Sequence, residues 1–382
     1  MRIVAKLVYA GVLIALAGCS SLNPFTSKTV QRNSPVALVD FKPVLPVTKT
    51  WSASIGSAGD YSFSPAFAAG NVFVAAANGA VASLDAISGR EKWRINAGTS
   101  LTAGIGTDGN TVVVAGEKGV LLAFYFEGKL RWKMQASSEI LSAPAVGQGL
   151  VIVRSIDNRI QAFDVDTGMR RWILQRTAPA LSLRTAPGIL IADSVAYIGL
   201  PGGRLLALSL ANGGTRWEAT VGDPRGATEL ERIVDLSGAP VTIGRDVCAV
   251  AYQGRVACFD LVSGAPRWSK ELSSDVGLAV DERFVFASDV RGAVTAYTRE
   301  AGLNVWHNDQ LANRHLSTPV SYGRAVAVGD GQGYVHFLSR ESGAFIGRVS
   351  TDGSAIVSAP LVAGSNLIFQ TQSGAVVALA AE

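Results

Sequence analysis

The run Leu181-Ser-Leu-Arg184 carries the most specific chemistry in this chain of 382 residues, and it is the chemistry of recognition. Two leucines two apart in an extended segment project to the same side. The arginine beside them can form paired hydrogen bonds to a carboxylate. Apolar anchors next to an arginine have the composition of an interface hot spot; the blander reading tucks both leucines under their own loop as a small satellite core. Candidates for catalysis are few. His307, His315 and His336 are the three histidines, and their spacing fits no metal motif, so each reads as a surface or packing residue. No Gly-x-Ser-x-Gly elbow and no P-loop occurs, and Gly329-Asp-Gly-Gln-Gly333 reads as turn chemistry. Cys248 and Cys258 flank a turn centred on Gln253-Gly254 and would face each other across it. Two readings stay open for them: a bridge formed in an oxidising compartment, or a slot for a small buried residue, since Ala162, Ala207 and Ala296 stand where Cys258 does.

The elements that must carry these residues follow from a repeat. The seven tryptophans are Trp51, Trp93, Trp132, Trp172, Trp217, Trp268 and Trp306, spaced 38 to 51 residues apart. Gly347, in Ser342-Gly-Ala-Phe-Ile-Gly347, takes the eighth place and is expected to leave one weakened contact. Four residues before each later place stands a glycine: Gly89, Gly128, Gly168, Gly213, Gly264, Gly302 and Gly343. About ten residues earlier comes a second turn residue, which is Asn158 in one unit and glycine in the others (Gly79, Gly119, Gly203, Gly254, Gly292, Gly333 and Gly374). These supply the positive φ of tight hairpins. Alternating apolar stretches such as Val72-Phe-Val-Ala75 and Val81-Ala-Ser-Leu84 lie between them. Each unit is therefore about four short antiparallel strands, one propeller blade. The chain enters at the Trp strand (Trp51 to Ile55) and finishes after Val376-Val-Ala-Leu-Ala380, so one blade draws on both ends. The spacing predicts an all-β, eight-bladed β-propeller of four-stranded antiparallel blades, its ring closed by the N-terminal strand joining the C-terminal blade.

Composition agrees with many short strands and tight turns: 48% hydrophobic, 17% charged and 41 glycines. The net charge of +4 (pI about 9.0) is scattered, and no Lys/Arg run marks a nucleic-acid surface. At the N-terminus Arg2 and Lys6 precede an apolar run from Leu7 to Ala17, too short to span a bilayer as a permanent helix. Leu16-Ala17-Gly18-Cys19 resembles the bacterial lipobox, which implies that Cys19 becomes the lipidated first residue. Ser20 in place of an aspartate then implies the outer membrane. The expected organisation is a lipoprotein signal peptide over 1–18, a lipidated tether over 19–48 and the propeller over 49–382.

The segments Leu84-Asp-Ala-Ile-Ser-Gly-Arg-Glu-Lys-Trp93 and Phe163-Asp-Val-Asp-Thr-Gly-Met-Arg-Arg-Trp172 resemble the repeat of PQQ-type propellers over roughly residues 50–380. In such a repeat the tryptophans pack between blades, each contributing roughly 2–3 kcal/mol. Some fourteen residues before each second turn residue stands a proline (Pro65, Pro144, Pro187, Pro240, Pro319 and Pro360) or, in two units, a glycine (Gly104 and Gly277). The connection from a Trp place to the next such place is 23 positions from Trp217 to Pro240 and 15 from Trp172 to Pro187. The others are shorter. Both long connections occupy the same topological place in neighbouring units, so both loops emerge on one face, where added length on a rigid scaffold favours function. The second loop, Glu218 to Ala239, carries Arg225, Glu229, Glu231, Arg232 and Asp235.

Lipobox, eight PQQ-like blades, overall length and Leu181-Ser-Leu-Arg184 together resemble the BamB family, lipoproteins of the bacterial outer-membrane protein assembly (BAM) machinery. The resemblance implies a non-catalytic scaffold, lipid-anchored in the outer membrane and facing the periplasm, with no cofactor. Leu181, Leu183 and Arg184 would contact the periplasmic POTRA domains of BamA, and unfolded outer-membrane clients are a further candidate partner. Of an acidic pair that matters in the family, Asp235 matches the first member, whereas Ser237 stands at the second. The alternative is a periplasmic PQQ-dependent quinoprotein-like enzyme or a ligand-binding propeller. Against the enzyme stand the absence of a Cys-Cys pair and of any Asp/Asn/Glu cluster outside the repeat.

Overall fold

A computed structural model describes residues 33–177, 179–183 and 187–381. The described chain forms eight four-stranded antiparallel sheets arranged as the blades of a propeller. Seven blades are continuous in sequence: Ala66–Asn96, Gly106–Gln135, Ala145–Gln175, Ile189–Thr220, Leu236–Glu271, Leu278–Asn308 and Val320–Ser350, numbered first to seventh. The eighth joins Leu361–Ala363, Asn366–Gln370 and Ala375–Ala381 to the N-terminal strand Val47–Ser54, which pairs with Ala375–Ala381. The clasp expected from the repeat phase is therefore present.

The burial pattern explains why these sequences choose this arrangement. Second strands such as Asn71–Ala75 are buried throughout, whereas outer strands such as Glu91–Asn96 alternate with solvent. The core is divided into eight apolar clusters, each drawing on two neighbouring blades. Tryptophan spans each seam but one. Trp51 Nε1 donates to Ala86 O at 3.1 Å, Trp132 to Val165 O at 2.8 Å and Trp217 to Leu261 O at 3.2 Å. Each acceptor follows an aspartate (Asp85, Asp164, Asp260) whose carboxylate accepts N–H groups of the next residues and closes the corner turn. Those N–H groups, with the Ser88 hydroxyl, hold Asp85 down at about 2. The glycine ending each corner is where the ring of the preceding blade's tryptophan rests. A Cβ on Gly264 (φ +71°) would lie 2.6 Å from Trp217.

At Gly347 the size relationship is reversed. Opposite each tryptophan on the neighbouring strand stands a small residue, such as Ala123, Ala207 or Ala296. Opposite Gly347 stands Phe337, fully buried, and buried Leu45 from the N-terminal segment packs into the same cluster. The seam expected to be weakened is filled by a different pair of side chains.

The described part of the segment expected as a tether also differs from a free linker. From Val36 to Leu45 it lies along the seventh blade: Val44 and Leu45 N–H both donate to Ile346 O, at 3.0 and 2.9 Å, and Phe41 stacks on Phe345. Cys248 and Cys258, directly opposed on adjacent strands of the fifth blade, form a disulfide, which decides between the two open readings.

Candidate interaction face

In a four-stranded up-and-down blade, the hairpin between second and third strands shares a face with the connection leading to the next blade. Both long connections lie on this face. They are tied together at two levels. Gly188 N–H donates to Gly238 O at 3.1 Å, joining their ends, and the outer strands that launch them are joined by an ion pair between Arg176 and Glu218.

Of the residues singled out in sequence, Leu181 is 43% exposed and Leu183 is half-buried. Arg184 lies outside the described residues, as does Cys19. Asp235 is 2% exposed and therefore lies beneath the surface. One of its carboxylate oxygens accepts Leu183 N–H and the other accepts Gly202 N–H at 3.2 Å. Asp235 thus joins the second loop to the first and to the fourth blade's hairpin. Burial pushes its carboxyl up from the ordinary value, opposed by the two N–H groups and by the charge of Arg154. Ser237 is buried too, and its hydroxyl donates to Ser274 O at 2.7 Å. An ionised carboxylate at this place would have no proton to donate to that carbonyl.

The second loop is exposed from Asp223 to Arg232. Its tip is held by a reciprocal cap: Glu231 accepts Ala227 and Thr228 N–H at 2.9 and 3.0 Å, while Glu231 N–H donates to Thr228 Oγ1 at 3.3 Å. That turn presents Leu230, 68% exposed. Two apolar side chains, Leu181 and Leu230, therefore project from loops joined through one buried carboxylate. Such a constellation is suited to docking a protein surface.

Sequence reasoning missed a buried polar group in the seventh blade and the connection leading into it. Asp330 Oδ2 accepts Arg314 Nε at 2.7 Å and His336 Nε2 at 2.9 Å, and His336 Nδ1 accepts Arg348 Nε at 3.2 Å. The two arginines continue to Val36 O and Val39 O, at 3.0 and 3.1 Å. Asp330 lies in the Gly329–Gly333 run that read as a turn; it is one, and its aspartate is also the anchor of the N-terminal segment. Among the described residues, no group of three or more His, Cys, Asp or Glu is placed to hold a metal ion.

Fold and face together define a class: an eight-bladed propeller of PQQ-like repeats with two long, joined loops on one face. A family model described as outer membrane protein assembly factor BamB matches residues 77–308 and 290–382. The chain belongs to this family. The outer membrane protein assembly factor BamB of Bordetella pertussis is 44% identical over 366 residues, covering 96% of this chain and 94% of that protein. The crystal structure of BamB from Moraxella catarrhalis superposes with a TM-score of 0.81 at 29% identity, covering 88% of this chain and 100% of that one. Quinohemoprotein alcohol dehydrogenase from Comamonas testosteroni reaches a TM-score of 0.69 at 14% identity, covering 87% of this chain and 76% of that one, a likeness of fold alone.

Proposed function

We propose that this chain is a non-catalytic scaffold of outer-membrane β-barrel protein assembly, anchored by lipid at Cys19 and facing the periplasm. It binds the POTRA domains of BamA through Leu181, Leu183 and Arg184, with the Glu218–Ala239 loop alongside. The observation that carries this reading is the pinning of Leu183 by Asp235. A buried carboxylate holding the backbone of an exposed apolar loop prepares that loop for binding, and ordering it in advance removes part of the entropic cost of association. Asp235 acts here as a positioning residue; Leu181 and Arg184 are the contacting ones. Membership of the BamB family supports the choice of partner.

The test is recovery of BamA from detergent-solubilised outer membranes with wild type and with Leu181→Ala/Leu183→Ala/Arg184→Ala. Loss of an apolar anchor and an arginine at an interface centre typically costs 2 kcal/mol or more, so recovery is expected to fall by about thirtyfold or more. Equal recovery by both would reject the interface. Cys19→Ser is expected to move the protein from the membrane fraction to the soluble periplasmic fraction.

A further inference from the structure

Two side chains of the third blade break the repeat, and they meet beneath the loop that carries Leu181. Asn158 stands where every other unit has glycine, at φ +62°. Arg154 pairs with Ile160 across the same hairpin. The residues in that register elsewhere are Ala75, Ala115, Gly199, Val250, Ser288, Gly329 and Gln370, none of them charged. The seven other blades therefore form this hairpin without a charge at the place of Arg154 and with glycine at the place of Asn158.

The contacts give the two exceptions a use. Arg154 is 6% exposed, and its Nη1 donates to Asn158 Oδ1 at 3.1 Å. Asn158 in turn donates from Nδ2 to Thr177 O at 3.1 Å, while its own carbonyl accepts Arg176 N–H at 3.2 Å. Thr177 begins the segment that leads to Leu181. Its other end, Leu183, is held by Asp235. The loop is thus gripped at both ends from below.

We infer that Arg154 and Asn158 are positioning residues of the interaction loop: with Asp235 they form a cradle that fixes Thr177 and Leu183 and so sets where Leu181 projects. The inference rests on the interface proposed above. Supporting it, the Arg154 Nε has no hydrogen-bond partner among the described residues, a cost that blade packing alone does not require. Burial lowers the guanidinium to about 10, while the charge of Asp235 acts in the opposite direction, so the two ends of the cradle also attract each other.

The repeat supplies a variant that should fold. Arg154→Ala and Asn158→Gly install residues that other blades carry at these places, so the double variant is expected to melt at or above the wild-type temperature. Amide hydrogen exchange should nevertheless speed up by about tenfold or more across 177–183, while the hairpins of the other blades keep their protection. Affinity for the purified BamA POTRA domains should fall by about tenfold, since a loop loosened by a few rotatable bonds must be reordered on binding. Unchanged exchange at Thr177–Leu183 in the double variant would overturn the inference. Faster exchange with unchanged POTRA affinity would uphold the cradle and reject the interface instead. Asn158→Gly alone, with Arg154 kept, should produce the smaller part of the effect, confined to the Thr177 end; an effect equal to that of the double variant would overturn the role given to Arg154.

Discussion

At the scale of single residues, the repeat's landmarks act by contact across a seam and not only within a blade. Glycine at the corner serves two demands at once: a positive φ and room for the preceding blade's tryptophan. Gly264 meets both, whereas Gly149 (φ +77°) has nothing within 4 Å of a Cβ. Gly264→Ala is therefore expected to cost about 2–4 kcal/mol, from backbone strain plus a displaced Trp217. Gly149→Ala is expected to cost about 1 kcal/mol, from strain alone. Urea unfolding followed by tryptophan fluorescence separates the two, and equal costs would remove the ring contact from the explanation. His336 gives a second prediction. Its Nε2 donates to Asp330 and its Nδ1 accepts from Arg348, an arrangement available to the neutral ring. Burial, with Arg314 and Arg348 nearby, lowers its pKa below the ordinary 6.5, and Asp330 opposes this. Because the folded value is depressed, the unfolded chain takes up the proton first. The stability conferred is present above 6.5 and is lost as pH falls from there toward the folded value. His336→Gln should flatten the pH dependence of unfolding free energy between about pH 7.5 and 5.5, by at most about 1.4 kcal/mol per pH unit for one proton. An unchanged slope would contradict this.

At the scale of elements, the strands were readable from sequence because each blade repeats the same chemistry at the same offsets: a turn glycine, a corner glycine, then tryptophan. The loop face was readable as well, since extra length in two neighbouring connections of the same topological kind must emerge on one side. What sequence did not disclose is depth. Asp235 sits in a polar, insertion-rich loop and reads as an exposed contact; only the packed structure reveals that its carboxylate is consumed by Leu183 and Gly202 N–H. Leu45 was equally hidden, because its partners Phe337 and Leu379 lie far away in sequence. The cysteine pair was ambiguous for a related reason. Either outcome needs two small residues in register, and Ala207 shows that a hydrophobic slot is sufficient at the place of Cys258. The disulfide closes a short loop, its ends ten positions apart, so its removal should cost about 2–3 kcal/mol. Cys248→Ala/Cys258→Ala is expected to retain eight blades by circular dichroism and to unfold at lower urea. Thiol labelling of the wild type under denaturing, non-reducing conditions should find neither cysteine reactive.

At the scale of the whole molecule, eight similar blades leave one problem that no single blade can solve, which is where the ring begins. The answer uses two layers of the N-terminal segment. Val36 is bonded to Ala312 in the connection between the sixth and seventh blades, on the loop face. By Val44, whose carbonyl accepts Arg324 Nη2 at 2.9 Å beside the seventh blade's first hairpin, the chain has crossed to the opposite face. It then turns and returns as Val47–Ser54, the outer strand of the eighth blade. The inner layer closes the sheet. The outer layer replaces the tryptophan missing at Gly347, by laying Leu45 against Phe337 and Ile346. These roles are separable by truncation. A chain beginning at Val47 keeps all eight blades but loses Leu45, and burying a leucine is worth roughly 1.5–3 kcal/mol. Its urea midpoint should fall while it stays monomeric. A chain beginning at Ile55 also loses the strand that covers Ala375–Ala381 and the Trp51 contact to Ala86. That exposes an apolar edge, and an uncovered edge of this kind pairs with other chains. Gel filtration should then show concentration-dependent association, with a broadened unfolding transition. If the two truncations instead unfold at the same midpoint and both remain monomeric, closure by Val47–Ser54 is not what holds the ring together, and the eight seams alone must suffice.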